Sequence, residues 1–109
     1  MTFDYTDIPM QILPRFKGGQ GENHARLRDD EYGKIMHGTL PPGSSIGLHT
    51  HEGSYEVIYI LEGRGVCLDD GAEIPIGPGS VNICLPGHSH SIVNTGDADL
   101  VLFAVIPNV

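Results

Sequence analysis

Six histidines occur in this 109-residue chain, and four of them form two His-x-His pairs, His49/His51 and His88/His90. On a β-strand, residues two apart point to one face, so each pair can aim two imidazoles at a single point. Neutral imidazole is the commonest protein metal ligand. The isolated His24 and His37 read as ordinary loop or strand-end residues. Five positions after His51, Glu56 heads the apolar run Val57-Ile58-Tyr59-Ile60-Leu61. A carboxylate leading into a core strand costs on the order of several kcal/mol of desolvation unless it meets a cation or good donors. If residues 52–55 turn, Glu56 opens the next antiparallel strand near His51, and the carboxylate and the pair converge. Taken alone, Glu56 reads equally well as a solvated residue at a strand mouth.

The elements that must carry these groups are strands. Ile and Val together number 18 against four Ala, which favours β structure. Fifteen Gly and eight Pro are spread so evenly that the longest stretch free of both runs from Glu22 to Tyr32, and it offers a poor helical stripe. Long helices and helical bundles are thereby excluded. Strands are predicted over Met10–Leu13, His24–Leu27, Lys34–Leu40, Ser45–His51, Tyr55–Leu61, Gly65–Leu68, Ser80–Leu85, Ser89–Asn94 and Leu100–Ile106. Asp70-Gly71 is a hairpin signal, because both turn positions accept φ > 0. So many short strands imply a sandwich, a jelly roll or a small barrel. The length suits one domain, with residues 1–23 as an N-terminal arm or first strand and residues 24–109 as the barrel. The Gly18-Gly19-Gln20-Gly21 segment lacks the Lys-Ser/Thr of a phosphate loop, opens no helix and reads as a flexible loop. Asp69, Asp70 and Glu73 lack the spacing of a calcium loop and read as a solvated hairpin tip.

Charge and cysteine usage narrow the partners. A net charge of −8 without any Lys/Arg cluster argues against nucleic acid and against anionic membrane surfaces. No apolar run approaches the roughly 18 residues of a membrane span, and the start of the chain does not read as a signal peptide. Cys67 and Cys84 form neither a disulfide framework nor a Cys-x-x-Cys site, and read as free, buried thiols of a reducing cytoplasm.

Together the residues resemble the cupin family. Gly43, His49, His51, Glu56 and Gly63 meet its first motif, G-x5-H-x-H-x4-E-x6-G, without a gap, and Gly79, Gly87, His90 and Asn94 meet the second, G-x5-P-x-G-x2-H-x3-N. One departure occurs: Leu85 stands where the motif has proline, and Pro86 follows it. It leaves the proposed ligands untouched and bears only on the shape of that loop. The resemblance implies an all-β, cupin-type jelly roll or double-stranded β-helix barrel, with His49, His51, Glu56 and His90 as ligands of one divalent transition metal ion (Fe, Mn, Zn, Ni or Cu). It makes Asn94 a structural position. Three imidazoles and one carboxylate leave two cis positions open on an octahedral ion.

For His88 the first reading is a place behind a ligand or at the mouth of the site, the second plain solvent exposure, the third replacement of Glu56 as fourth ligand. Tyr55 and Tyr59 are expected to face away from the metal. The functional expectation is a metal-dependent enzyme acting on a small oxygen-rich metabolite by dioxygenase, isomerase or lyase chemistry. A non-catalytic module that binds or senses a sugar or carboxylate is the alternative. Glu52, Tyr55, Arg64 and His88 are the candidate acids and bases. An apolar outer face carrying Val57, Tyr59 and Leu61 predicts a homodimer.

Overall fold

Evenly spaced Gly and Pro cut the chain into short β-branched segments, and these pair into two antiparallel sheets. The computed structural model of the protein describes residues 1–109 and contains ten strands. They are β1 (Gln11–Pro14), β2 (Glu22–Asp30), β3 (Gly33–Leu40), β4 (Ser45–Thr50), β5 (Glu56–Glu62), β6 (Gly65–Asp69), β7 (Ala72–Ile76), β8 (Val81–Cys84), β9 (Ser89–Val93) and β10 (Leu100–Pro107). One sheet has the order β1-β2-β3-β10-β5-β8, the other β4-β9-β6-β7. The only helical pieces are two 3₁₀ turns, Tyr5–Asp7 and Phe16–Gly18.

All nine predicted strands are present, their ends displaced by at most three residues. The tenth, β7, was not expected. Pro75 lies in its middle and Pro78 soon follows, which reads as a break. β7 is an edge strand, where a missing N–H costs no ladder bond. The Asp70-Gly71 signal is the β6–β7 turn, with both residues at positive φ (48° and 86°) and Asp69 paired with Ala72.

The core lies between the sheets and is built from Ala25, Met36, Leu40, Ile58, Ile60, Leu100, Leu102 and Ala104 of the larger sheet and Ile46, Cys67, Ile76 and Ile92 of the smaller. Cys67 and Cys84 are free and buried, and burial pushes both thiols up to about 11, which leaves them unreactive at neutral pH. On the outer face of the larger sheet Tyr59, Leu61, Val81, Ile83 and Val105 remain exposed.

Two local features position the centre of the molecule. In β4, Ile46 pairs with Ile92 while His49 pairs with His90, so β4 holds one residue more than β9 across this interval. This is a β-bulge. Strict alternation from the buried Ile46 would send Leu48 inward and His49 outward. The bulge reverses this: Leu48 is 64% exposed and both His49 and His51 turn inward. The second feature is the Gly18–Gly21 segment, which is not a flexible loop. Gln20 N donates to Ser45 Oγ (2.8 Å), Glu22 N donates to Ser44 Oγ (3.2 Å) and Ser45 N donates to the Gln20 carbonyl (2.9 Å). A Cβ at Gly19 would strike the Ser45 carbonyl, and one at Gly47 would strike the Lys17 carbonyl. These glycines permit two backbones to touch.

Asn94 closes the far end of the sandwich. Its side chain is buried, donates to the carbonyls of Leu40 and Ala98 (both 2.8 Å) and accepts from Gly96 N (2.9 Å). Truncation leaves these groups without partners in a dry environment. Asn94→Ala is expected to lower stability by about 2–4 kcal/mol, read from the midpoint of a urea denaturation curve at unchanged slope.

Candidate metal centre

Four side chains converge between the sheets. His49 and His90 face each other as a cross-strand pair in the smaller sheet. His51 follows β4 directly and is fixed by its backbone: its N–H donates to the His88 carbonyl (3.1 Å) and its carbonyl accepts from Gly87 N (2.7 Å). Gly87 makes that turn with φ 84°. Glu56 arrives from the opposite side. The expected antiparallel pairing of its strand beside His51 does not occur, because β4 and β5 lie in different sheets. The five-residue connection crosses the mouth of the sandwich instead of forming a hairpin, and this brings Glu56 to face the histidines.

Glu56 Oε1 lies 2.8 Å from His90 Nε2, 3.0 Å from His51 Nε2 and 3.6 Å from His49 Nε2. The Nε2 atoms of His51 and His49 each lie 3.1 Å from that of His90. Ligands about 2.1 Å from one ion and at right angles to each other stand about 3 Å apart. The donor spacing therefore fits a single ion, and these four residues form a group that can hold one.

The tautomers point the same way. His49 Nδ1 donates to the Gly47 carbonyl (2.7 Å), which only accepts. His90 Nδ1 donates to Asn82 Oδ1 (2.8 Å), while Asn82 Nδ2 donates to Asp69 Oδ2 (3.4 Å) and so fixes the amide's orientation. With their protons on Nδ1, both rings present Nε2 lone pairs to each other at 3.1 Å. Two lone pairs at that distance repel, and a cation between them turns the contact favourable. Orienting partners of this kind tune ligands at metal sites.

Burial lowers the pKa of His51 and keeps it in the neutral form a metal ligand requires. For Glu56, 3% exposed, burial works against ionisation, and positive charge at His49, His90 and His51 outweighs it: with protons there the carboxyl falls to about 2, and a cation shared by the same atoms acts in the same direction. The group is a carboxylate at any pH near neutral.

The centre lies in the wall of a cavity of about 430 Å³, also lined by Phe16, Lys17, Met36, Ile46, Glu52 and Ile106. Of the four candidate acids and bases only Glu52 lines it. Tyr55 is half-buried outside it, Tyr59 is exposed on the outer face and Arg64 packs against Gly77. His88 is turned to solvent and bound to Asp70, whose other oxygen accepts from Ser89 N. Sequence reasoning missed Asn82, whose place behind His90 depends on the β5–β8 pairing of Ile58 with Asn82. It also missed Lys17 and Lys34, and Gly47, where a glycine inside a strand is a recognised sign of a bulge.

Three imidazoles and a buried carboxylate on the inner walls of a two-sheet jelly roll define a class of β-barrel built around a potential metal centre. The comparisons identify the family. A family model described as "Cupin domain" matches residues 36–106, and the chain belongs to the cupin family. The chain is 44% identical to a Thermotoga maritima protein named oxalate-binding protein, over 93% of this chain and 88% of the relative. The crystal structure of a predicted oxalate decarboxylase from Thermotoga maritima superposes over all of both chains at a TM-score of 0.92 and 38% identity. A sugar phosphate isomerase of the cupin superfamily from Silicibacter pomeroyi covers the whole chain and 76% of its own length at a TM-score of 0.80 and 23% identity, a likeness of fold.

The Asp70–His88 pair gives a pH prediction. Donating a hydrogen bond to Asp70 raises the pKa of His88 above its ordinary 6.5, while the Ser89 N–H, followed by His88 itself, lowers that of Asp70 below 3.8. The His88 contribution to stability is complete below pH 6.5 and fades as the pH rises through its folded pKa. On the acid side the Asp70 contribution is present above pH 3.8 and fades as the pH falls through its own. An NMR titration is expected to place His88 above 6.5 in the native chain and lower in Asp70→Asn.

Proposed function

We propose that His49, His51, Glu56 and His90 hold one divalent transition metal ion, and that the protein acts on a small oxygen-rich carboxylate bound there. The observation that carries this reading is the facing pair of Nε2 lone pairs beside a buried carboxylate, an arrangement that a cation resolves. Such an ion supplies Lewis-acid polarisation of chelating oxygens. The chain's own residues do the rest. Gly47 and Asn82 orient two imidazoles, Glu56 offsets the ion's charge, and the apolar walls around Met36, Ile46 and Ile106 exclude water. Glu52 is the carboxyl group in the cavity wall, outside the four metal-holding side chains, able to give or take a proton. The name of the 44% identical relative points to oxalate as the first ligand to test, and the reaction class this favours is a lyase. A binding protein without turnover is the second reading, favoured by that same name.

Two variants and one ligand test this. Glu56→Gln is expected to lose most metal after identical reconstitution, because a neutral amide is a poor ligand, while His88→Ala keeps about one ion per chain. Full occupancy in Glu56→Gln together with loss in His88→Ala overturns the assignment. In metal-loaded wild type, oxalate is expected to bind and to be split, with uptake of one proton, into formate and carbon dioxide. Glu52→Gln then retains binding and loses turnover. Binding without any consumption in the wild type selects the second reading.

We also propose a homodimer formed through the outer face of the larger sheet. Tyr59, Leu61, Val81, Ile83 and Val105 leave an apolar surface there next to the β8 edge. Light scattering at micromolar concentration is expected to give twice the 11.7 kDa chain mass, and the chain mass itself overturns the assembly.

A further inference from the structure

The chain has only two lysines, Lys17 and Lys34, and both line the metal-centre cavity. Neither forms an ion pair, although the chain carries fourteen acidic residues. In a protein of net charge −8 both lysines are thus gathered at one opening, while none of the four arginines lines it.

Their positions follow from the backbone. Lys34 pairs with Ile106 across β3 and β10, and Val105 pairs with Val57 across β10 and β5. The next inward positions on these strands are Lys34, Ile106 and Glu56, side by side in one row. Two strand spacings separate Lys34 from Glu56 at the backbone, about 10 Å. Lys17 stands on the opposite wall, in the Phe16–Gly18 turn that packs on Gly47 of β4. Its backbone is left-handed (φ 55°), as is that of Arg15 (φ 50°), and its ammonium lies 5.7 Å from the centre of the Phe16 ring. Left-handed backbone is unfavourable for a non-glycine residue. Here the contacts on β4 maintain it.

Charge and size then define a ligand. Lys17 and Lys34 balance Glu52 and Glu56 within the cavity wall, so a bound divalent ion leaves two positive charges to be met. A cavity of about 430 Å³ is in the range that holds drug-sized molecules, well beyond the six non-hydrogen atoms of oxalate. Between the metal centre and Lys34 the wall is apolar at Ile106 and Met36. Resting on the proposed function, we infer that the preferred ligand is a dianion larger than oxalate: a 2-oxo or 2-hydroxy carboxylate that chelates at one end and presents a second carboxylate to Lys34 and Lys17. A chain of about five carbons spans the interval once the reach of a lysine stem is subtracted. Lys17 and Lys34 are then specificity-determining residues that select the distal charge.

Calorimetric titration of the Mn²⁺-loaded protein with three probes tests this. Oxalate supplies chelation alone, 2-oxopentanedioate adds the distal carboxylate, and 2-oxopentanoate has the same chelating head without it. The wild type is expected to bind 2-oxopentanedioate about tenfold or more tightly than 2-oxopentanoate, the scale of a charge-assisted hydrogen bond. Lys34→Met and Lys17→Met, which keep the apolar stem, are each expected to reduce that preference at least about threefold and to change oxalate affinity by less than that factor. Equal binding of the two oxo acids by the wild type overturns the inference without any variant. So does a preference that survives in the double variant, or one that persists after the metal is removed. Oxalate binding in the same titrations leaves the proposed function standing when the inference falls, whereas failure of all three probes overturns both.

Discussion

The burial of Glu56 is the constraint on which the rest of the structure turns. An ionised carboxylate between two sheets is tolerated only where its charge is met, and with lone pairs on the Nε2 atoms of His49 and His90 the group that can meet it is a cation held by the four side chains. Removing any of the three imidazoles weakens the hold on that cation and leaves a buried charge short of partners, which is costly. The two sheets are therefore joined at this end by polar contacts and at the other by the aliphatic core and Asn94. The connection from β4 to β5 crosses between sheets and supplies the two halves of the centre from opposite walls.

Precision at the centre comes from a chain of contacts that begins outside it. The bulge at β4 turns His49 inward and frees the Gly47 carbonyl to orient the same ring. Because residue 47 has no side chain, the Phe16–Gly18 turn lies directly on the bulge and places Lys17 at the opening. One glycine thus serves the aim of a histidine, its tautomer and the docking of the segment that walls the cavity. On the other side, Asp69, Asn82 and His90 form a comparable series of hydrogen bonds running inward from the hairpin tip.

Electrostatics separates the site from the rest of the surface. The chain is strongly acidic, yet its cavity carries the two lysines beside a donor set suited to a divalent ion. Such a distribution draws anions to one place and repels them elsewhere. The cavity of about 430 Å³ leaves room beside that donor set for a small molecule.

What the sequence determined by itself was the identity of the donors and the character of the fold. The His49-x-His51 and His90 spacing, Glu56 at the head of an apolar strand, and the density of Ile, Val, Gly and Pro are local properties. They specify chemistry and strand content without reference to distant residues. Even β7 was hidden only because Pro75 reads as a breaker until the strand is known to lie at an edge. The tertiary structure decided direction and partnership. Alternation along β4 counts the wrong face for His49 unless the extra residue opposite β9 is known, and that residue is defined only by pairing with a strand some forty positions away. The same holds for His88. Its spacing from His90 matches that of His49 from His51, but the turn at Gly87 and the carboxylate of Asp70 draw it to the surface. Asn82, Lys17 and Lys34 carry no motif at all. They reach the site because strand register and close backbone packing are long-range properties, fixed when the sheets pair and not by the residues next to them in the chain.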